Sequence, residues 1–275
     1  LPGELWALPG WREAGWPFSA LRGGDLSRPW PALVITAGRR SAPFGAALRA
    51  LSAGRTRAVC WLRPGLAASR FDAVVAPSHD RLAGAVPVLG SLSAVTPEAA
   101  RAAASELDWP AERPRAAVLL GGPSRSARWS QGDVEALVEG VAALAGEASV
   151  RITGSRRTPG AWLTAMRERV GDEAVWSGEG RNPYPGLLGA ADAVVVTADS
   201  VNMASEAASA GKPVLVVECS GISDKVQRFH RDLALAGASR VFRGRYECWT
   251  VEELREAERV AGVLVREYLG GVDRR

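Results

Sequence analysis

Apolar and polar positions alternate most legibly between residues 193 and 217. Residues 193–196 (Ala-Val-Val-Val) read as a buried strand, and Thr197, Ala198, Asp199 and Ser200 read as a polar turn. A helix of small residues follows, with Glu206 on its second turn. Gly211-Lys212-Pro213 stops it before a second buried strand at 214–217. The pattern predicts a β-α-β unit. The helix start gathers hydroxyls and free N–H groups, which suits a phosphate. A carboxylate one or two turns further in suits the hydroxyls of an attached sugar. An ordinary crossover, with Asp199 or Ser200 capping the helix, accounts for the same pattern.

The same alternation runs through most of the chain. Strands are predicted at 31–37, 57–62, 71–76 and 86–89, with helices at 43–51 and 96–107, the latter opened by Thr96 as cap and Pro97 at the first helical position. Trp109 to Pro114 holds two prolines and mixed charge, and reads as a linker. A second series follows: strands at 116–120, 149–153 and 174–176, helices at 131–145, 161–170 and 185–190, then the unit already described and a closing helix at 251–269. Among residues 1–30, Trp6, Trp11, Trp16 and Trp30 lie among turn formers, and a strand or two with a loop is expected. Strands alternating with helices in two halves predict an α/β protein of two Rossmann-like, doubly wound parallel-sheet domains facing a cleft. The halves are 1–112 and 113–275, with the last helix returning to the first.

Composition narrows the function classes. The 275 residues carry a net charge of +4, and the basic residues are nearly all Arg. That surplus is too small and dispersed for nucleic acid, but it is compatible with an anionic substrate or an anionic membrane surface. No run reaches the length of a membrane span. Cys60, Cys219 and Cys248 have no ligand spacing, so no disulfide framework, metal site or cofactor is expected, and the cytoplasm is the expected compartment.

In order along the chain stand Ala37-Gly38-Arg39-Arg40, Pro77-Ser78-His79-Asp80, Leu120-Gly121-Gly122-Pro123-Ser124, Thr153-Gly154-Ser155-Arg156-Arg157-Thr158-Pro159, Asn182-Pro183-Tyr184 and Val196 to Met203. Together they resemble the mitochondrial-fission family first named for an elongated-mitochondria protein of plants, whose bacterial members are regarded as glycosyltransferases. The family is in turn similar to GT-B glycosyltransferases, such as the peptidoglycan enzyme that adds N-acetylglucosamine to a lipid-linked muramyl pentapeptide. There a Gly-Gly-Ser loop opens the second domain, and a later Ser-Gly-x-x-Thr-x-x-Glu segment grips the donor. The acceptor-side strand and Gly-rich loop that open such enzymes are not recognisable here and are expected before Leu1.

The resemblance implies a division of labour. Gly121, Gly122 and Ser124, with Ser200 and Asn202, would meet a diphosphate, and Met203 is counted with them as a substrate-binding residue. Ser155, Arg156, Arg157 and Thr158 would add guanidinium and hydroxyl donors. Asn182 and Tyr184 would line the base, and Glu206 would hold the ribose. In the first half Gly38, Arg39 and Arg40 would take the acceptor, and His79 or Asp80 would be the catalytic base. Each also has a plainer role, as turn, cap or solvated loop, and His230 reads as structural. The leading expectation is metal-independent transfer from a nucleotide-diphosphate sugar, a UDP-sugar first among candidates, to an unknown acceptor, lipid-linked or at the inner face of a membrane. A non-catalytic adaptor of the fission type and a sugar-nucleotide epimerase are the alternatives.

Overall fold

The computed structural model describes residues 29–110 and 112–269. The expectations for Trp6, Trp11 and Trp16 lie outside them. Contacts divide the chain into two units, one reaching to Val88 and resuming at Glu258, the other running from Leu89 to Ala257.

The first unit is built on four parallel strands: β1 (Leu33–Ala37), β2 (Arg57–Trp61), β3 (Ala73–Pro77) and β4 (Val86–Val88), side by side in chain order. α1 (Gly38–Leu51) starts directly at the end of β1. Gly38, Arg39 and Arg40 are therefore the first turn of a helix expected only from residue 43, and Pro43 lies inside it. Gly38 allows the abrupt turn by taking φ +71°. Strand residues alternate between two apolar clusters. Ala58, Cys60 and Val74 join Ala42 and Ala46 of α1, while Val59, Ala73, Val75, Val86 and Val88 pack with Val260.

In the second unit, α2 (Pro97–Ala104) is capped by the Thr96 hydroxyl, which accepts from the Ala99 N–H at 3.1 Å. Strand β5 (Arg115–Leu120) and the short β6 (Ala127–Arg128) precede α3 (Gln131–Glu147), β7 (Ser149–Gly154) and α4 (Gly160–Val170). Then come α5 (Tyr184–Ala190), β8 (Ala193–Thr197), α6 (Val201–Ser209), β9 (Val214–Val217), a two-residue β10 (Gly221–Ile222), α7 (Asp224–Leu235) and β11 (Ser239–Val241). The parallel sheet has the order β11-β9-β8-β5-β7. Its central strands are apolar throughout because both faces are covered. Leu119, Val194, Val196 and Val216 point to the side of α5, α6 and α7, whereas Val118, Leu120, Val195 and Leu215 point to α3 and α4.

Three sequence expectations change. The switch between units falls after Val88, upstream of the Pro-rich stretch, because α2 packs on α5 and Trp109 is buried in the second core with its Nε1 donating to Ser149 Oγ at 2.8 Å. Residues 172–174 form a 3-10 turn, and Val175 makes only an isolated bridge to Ile152. The closing helix is α8 (Glu256–Val263), continued by a π turn to Tyr268, and Val260 packs on the first unit's sheet.

Candidate functional site

Chain order reverses between β5 and β8: after β5 one strand is added on one side and the remaining strands on the other. At such a switch point the loops leave in opposite directions and open a crevice beyond the strand ends. Gly121 and Gly122 follow β5 there, and Ala198 to Ser200 follow β8.

The two loops are stitched together. The Gly121 N–H donates to Thr197 Oγ1 at 2.7 Å, and the Gly122 N–H donates to Asp199 Oδ2 at 2.9 Å. Glycine is required for steric reasons. A Cβ at 121 would sit 2.2 Å from Asp199 Oδ2, and one at 122 would sit 2.2 Å from the Arg157 carbonyl oxygen. The loop after β7 closes over them. Thr158 Oγ1 lies 2.7 Å from the Leu120 carbonyl as donor, and accepts from the Ser155 N–H at 2.8 Å. Ser155 Oγ accepts from the Arg157 N–H at 3.2 Å. These hydroxyls shape the loop instead of standing free for a ligand.

Arg157 is the charged centre. Its Nη2 donates to Asp199 Oδ2 at 2.9 Å, with the Arg side chain 44% exposed and the Asp side chain 0% exposed. Burial raises the Asp199 pKa, against the Gly122 N–H, Thr197 and the Arg157 charge. Its second oxygen, Oδ1, is buried without a hydrogen-bond partner. Arg156 is exposed and has no ion pair among the described residues.

Ser200 caps α6, its Oγ accepting from the Met203 N–H at 3.4 Å. Asn202 is exposed, and Met203 packs against the core. Glu206 accepts from the Tyr184 hydroxyl, and burial followed by the Glu206 charge pushes the Tyr184 pKa well up. Asn182 Oδ1 accepts from the Tyr184 N–H at 3.0 Å, so its side chain forms the turn into α5. Ser124 forms a narrow turn, its N–H donating to the Ala127 carbonyl at 2.9 Å. The second unit thus brings together Gly121, Gly122, Ser155, Arg157, Thr158 and Asp199 in one bonded cluster. Tyr184 and Glu206 form a pair of their own on α5 and α6.

In the first unit the named residues also follow strand ends. Gly38, Arg39 and Arg40 follow β1, and His79 and Asp80 form a 3-10 turn after β3. His79 is buried at 3% exposure, Asp80 is half-buried, and both arginines are exposed.

A model of the family described as mitochondrial fission ELM1 matches residues 5–268. The chain belongs to the mitochondrial fission ELM1 family. Within it, the chain is 30% identical over 274 residues to the mitochondrial fission protein ELM1 of Arabidopsis thaliana, covering 86% of this chain and 64% of the plant protein. It thus spans less than two-thirds of that relative's length. An uncharacterized protein of Rickettsia prowazekii is 24% identical over 282 residues, covering 85% of this chain and 79% of that one. Among solved structures, a Listeria monocytogenes protein provisionally described as a UDP-N-acetylglucosamine 2-epimerase superposes with a TM-score of 0.51 at 12% identity, covering 89% of this chain and 76% of that one. That likeness is one of fold. The ELM1-family chain is a mixed α/β protein with two parallel sheets, of the GT-B kind.

Sequence reasoning missed Asp199 as a site residue beyond capping, and it missed α7. His230 on α7 donates from Nε2 to the Ala198 carbonyl at 2.7 Å, and burial foremost lowers its pKa. The spacing of Val226, Phe229 and Leu233 carries the helical signal that could have found α7. No described helix is long and apolar enough to cross a membrane.

Proposed function

We propose that the chain binds a nucleotide-diphosphate sugar at the strand-end edge of the second unit and transfers the sugar to an acceptor hydroxyl. The observation that supports this most is the switch point between β5 and β8, where two glycines, a half-exposed arginine and the capped start of α6 converge. Arg157 and Arg156 would neutralise the leaving diphosphate without a metal, because guanidinium donates to phosphate oxygens in pairs. Glu206, held by Tyr184, would accept from the ribose hydroxyls through its remaining oxygen. A UDP-sugar is the first donor to try, as the Listeria neighbour is named for one.

On this reading the acceptor side is the first unit. Arg39 and Arg40 suit an anionic, lipid-linked acceptor at a membrane surface. Asp80, more accessible than His79, or His79 itself, takes the acceptor proton as the new glycosidic bond forms and the bond to the diphosphate breaks. A second reading, a binding scaffold without chemistry, is favoured by one observation. The N–H groups of Gly121 and Gly122 are already satisfied by Thr197 and Asp199, an arrangement complete without a ligand.

A thermal-shift panel of UDP-, GDP-, CMP- and dTDP-sugars tests the first reading. One nucleotide class should raise Tm, and Glu206→Ala should weaken its binding about 10- to 100-fold, as for loss of a charged hydrogen-bond acceptor. No response to any of them favours the scaffold.

A further inference from the structure

Asp199 is a buried carboxylate to which the sequence assigned no role beyond a possible helix cap. The cap of α6 is Ser200, so Asp199 is not needed to start the helix. Its Oδ2 takes both the Gly122 N–H and an Arg157 Nη2, and its Oδ1 takes nothing. A residue placed for structure alone would be expected to satisfy both oxygens. Here a negative charge is enclosed with half its acceptor capacity unmet, behind an arginine that faces solvent.

We propose that Asp199 is an internal counter-ion that competes with a ligand phosphate for Arg157. It rests on the nucleotide reading of the same loop, but the competition concerns any phosphate-like anion. A phosphate arriving on the exposed side of Arg157 meets a guanidinium whose charge is already neutralised, with a second anion behind it. Arg157 can turn to the ligand only as Asp199 loses its ion pair. The carboxylate then keeps the Gly122 N–H and becomes easier to protonate. Binding is accordingly favoured when Asp199 is neutral. The other charged or titratable groups about Asp199 are His230 on α7, and Cys219 and Glu218 after β9. None of them is positioned by a described hydrogen bond to take over the Asp199 carboxylate. An anion of the chain's own thus competes for Arg157.

The test compares the wild-type chain and Asp199→Asn by calorimetric titration with inorganic pyrophosphate and with UDP at pH 8. Asp199→Asn should bind pyrophosphate at least about tenfold tighter. Equal or weaker binding by a folded Asp199→Asn chain overturns the proposal, as does failure of pyrophosphate to bind either chain. Should the variant not fold, the Gly122 amide resonance of the wild-type chain decides the point. It should shift on pyrophosphate addition as the carboxylate lets go of Arg157, and a resonance that stays put during saturable binding overturns the proposal. Pyrophosphate bound more tightly by Asp199→Asn without any response to UDP or another nucleotide keeps the counter-ion and removes the nucleotide reading. A nucleotide bound equally by both chains does the reverse.

Discussion

Each unit has a buried carboxylate engaged by both a backbone N–H and arginine, and the two are finished differently. Asp72, just before β3 in the first unit, has a side chain 6% exposed. Its Oδ2 accepts from the Ala58 N–H at 2.8 Å and from Arg49 Nε at 2.9 Å, and its Oδ1 accepts from Arg57 Nη1 at 3.1 Å. Burial raises its pKa, yet the Ala58 N–H and the two guanidiniums outweigh burial and hold it below the ordinary carboxylate range. Asp199 has one oxygen engaged, and its pKa moves the other way. Satisfying both oxygens makes a buried carboxylate a structural tie, whereas leaving one unmet keeps it convertible. Asp72 fastens β2 to β3 at the N-terminal ends of the two strands, and Asp199 lies at the switch point, beyond a carboxyl end.

The widest separation between the two should appear on truncation. Asp72→Ala leaves two arginines and a backbone donor without their acceptor, and should cost about 2–3 kcal/mol by urea unfolding. Asp199→Asn should cost less than about 1 kcal/mol at neutral pH, because it relieves a buried charge while keeping an acceptor for Gly122. A larger loss for Asp199→Asn than for Asp72→Ala would break the comparison.

Next in size is Gly122→Ala. The clashing atom is the Arg157 carbonyl, backbone that cannot rotate away, so about 1–3 kcal/mol of overpacking is expected. At Gly38 an added Cβ meets nothing within 4 Å, and only the left-handed backbone resists it. Gly38→Ala should therefore cost about 1 kcal/mol. Similar losses at both positions would show that the loop after β5 yields more than its contacts imply.

The pH response is smaller and opposite in sign for the two carboxylates. Asp72 has a lowered folded pKa, so its stabilisation is present above the unfolded value of about 3.9 and is lost as pH falls through the folded one. Asp199 has a raised folded pKa. Its contribution is greatest below the unfolded value and is lost as pH rises through the folded one. Urea midpoints measured from about pH 3 to pH 7 should therefore lose their acid-side slope in Asp72→Asn and steepen it in Asp199→Asn. The same slope in both variants would equate the two sites.

Much of the second unit was legible because its central strands are unbroken apolar runs closed by glycine or proline. The run at 193–196 cannot be mistaken when Gly211-Lys212-Pro213 ends the helix that follows. α7 was hidden by charge, since Asp224, Lys225, Arg228, Arg231 and Asp232 surround its three buried residues. The start of α1 was hidden by Gly38, which read as part of a loop, and by Pro43, which read as the first residue of the helix. Gly121 and Gly122 drew notice, but the reason for them did not. Asp199 lies 77 positions from the N–H it accepts, and no local spacing encodes that bond. Thr158 was read as a ligand donor, yet its hydroxyl is within reach of the Leu120 carbonyl 38 positions away.

On the proposed reading, Arg157 is the anion-binding group of the second unit. Calorimetric titration of the wild-type chain and Arg157→Gln with the nucleotide that raises Tm most tests it directly. Affinity should be lower by about 10- to 100-fold in Arg157→Gln, as for loss of a charged hydrogen bond, and the free chain should melt at a lower temperature because the buried Asp199 carboxylate loses its ion pair. Equal affinity in the two chains would contradict it.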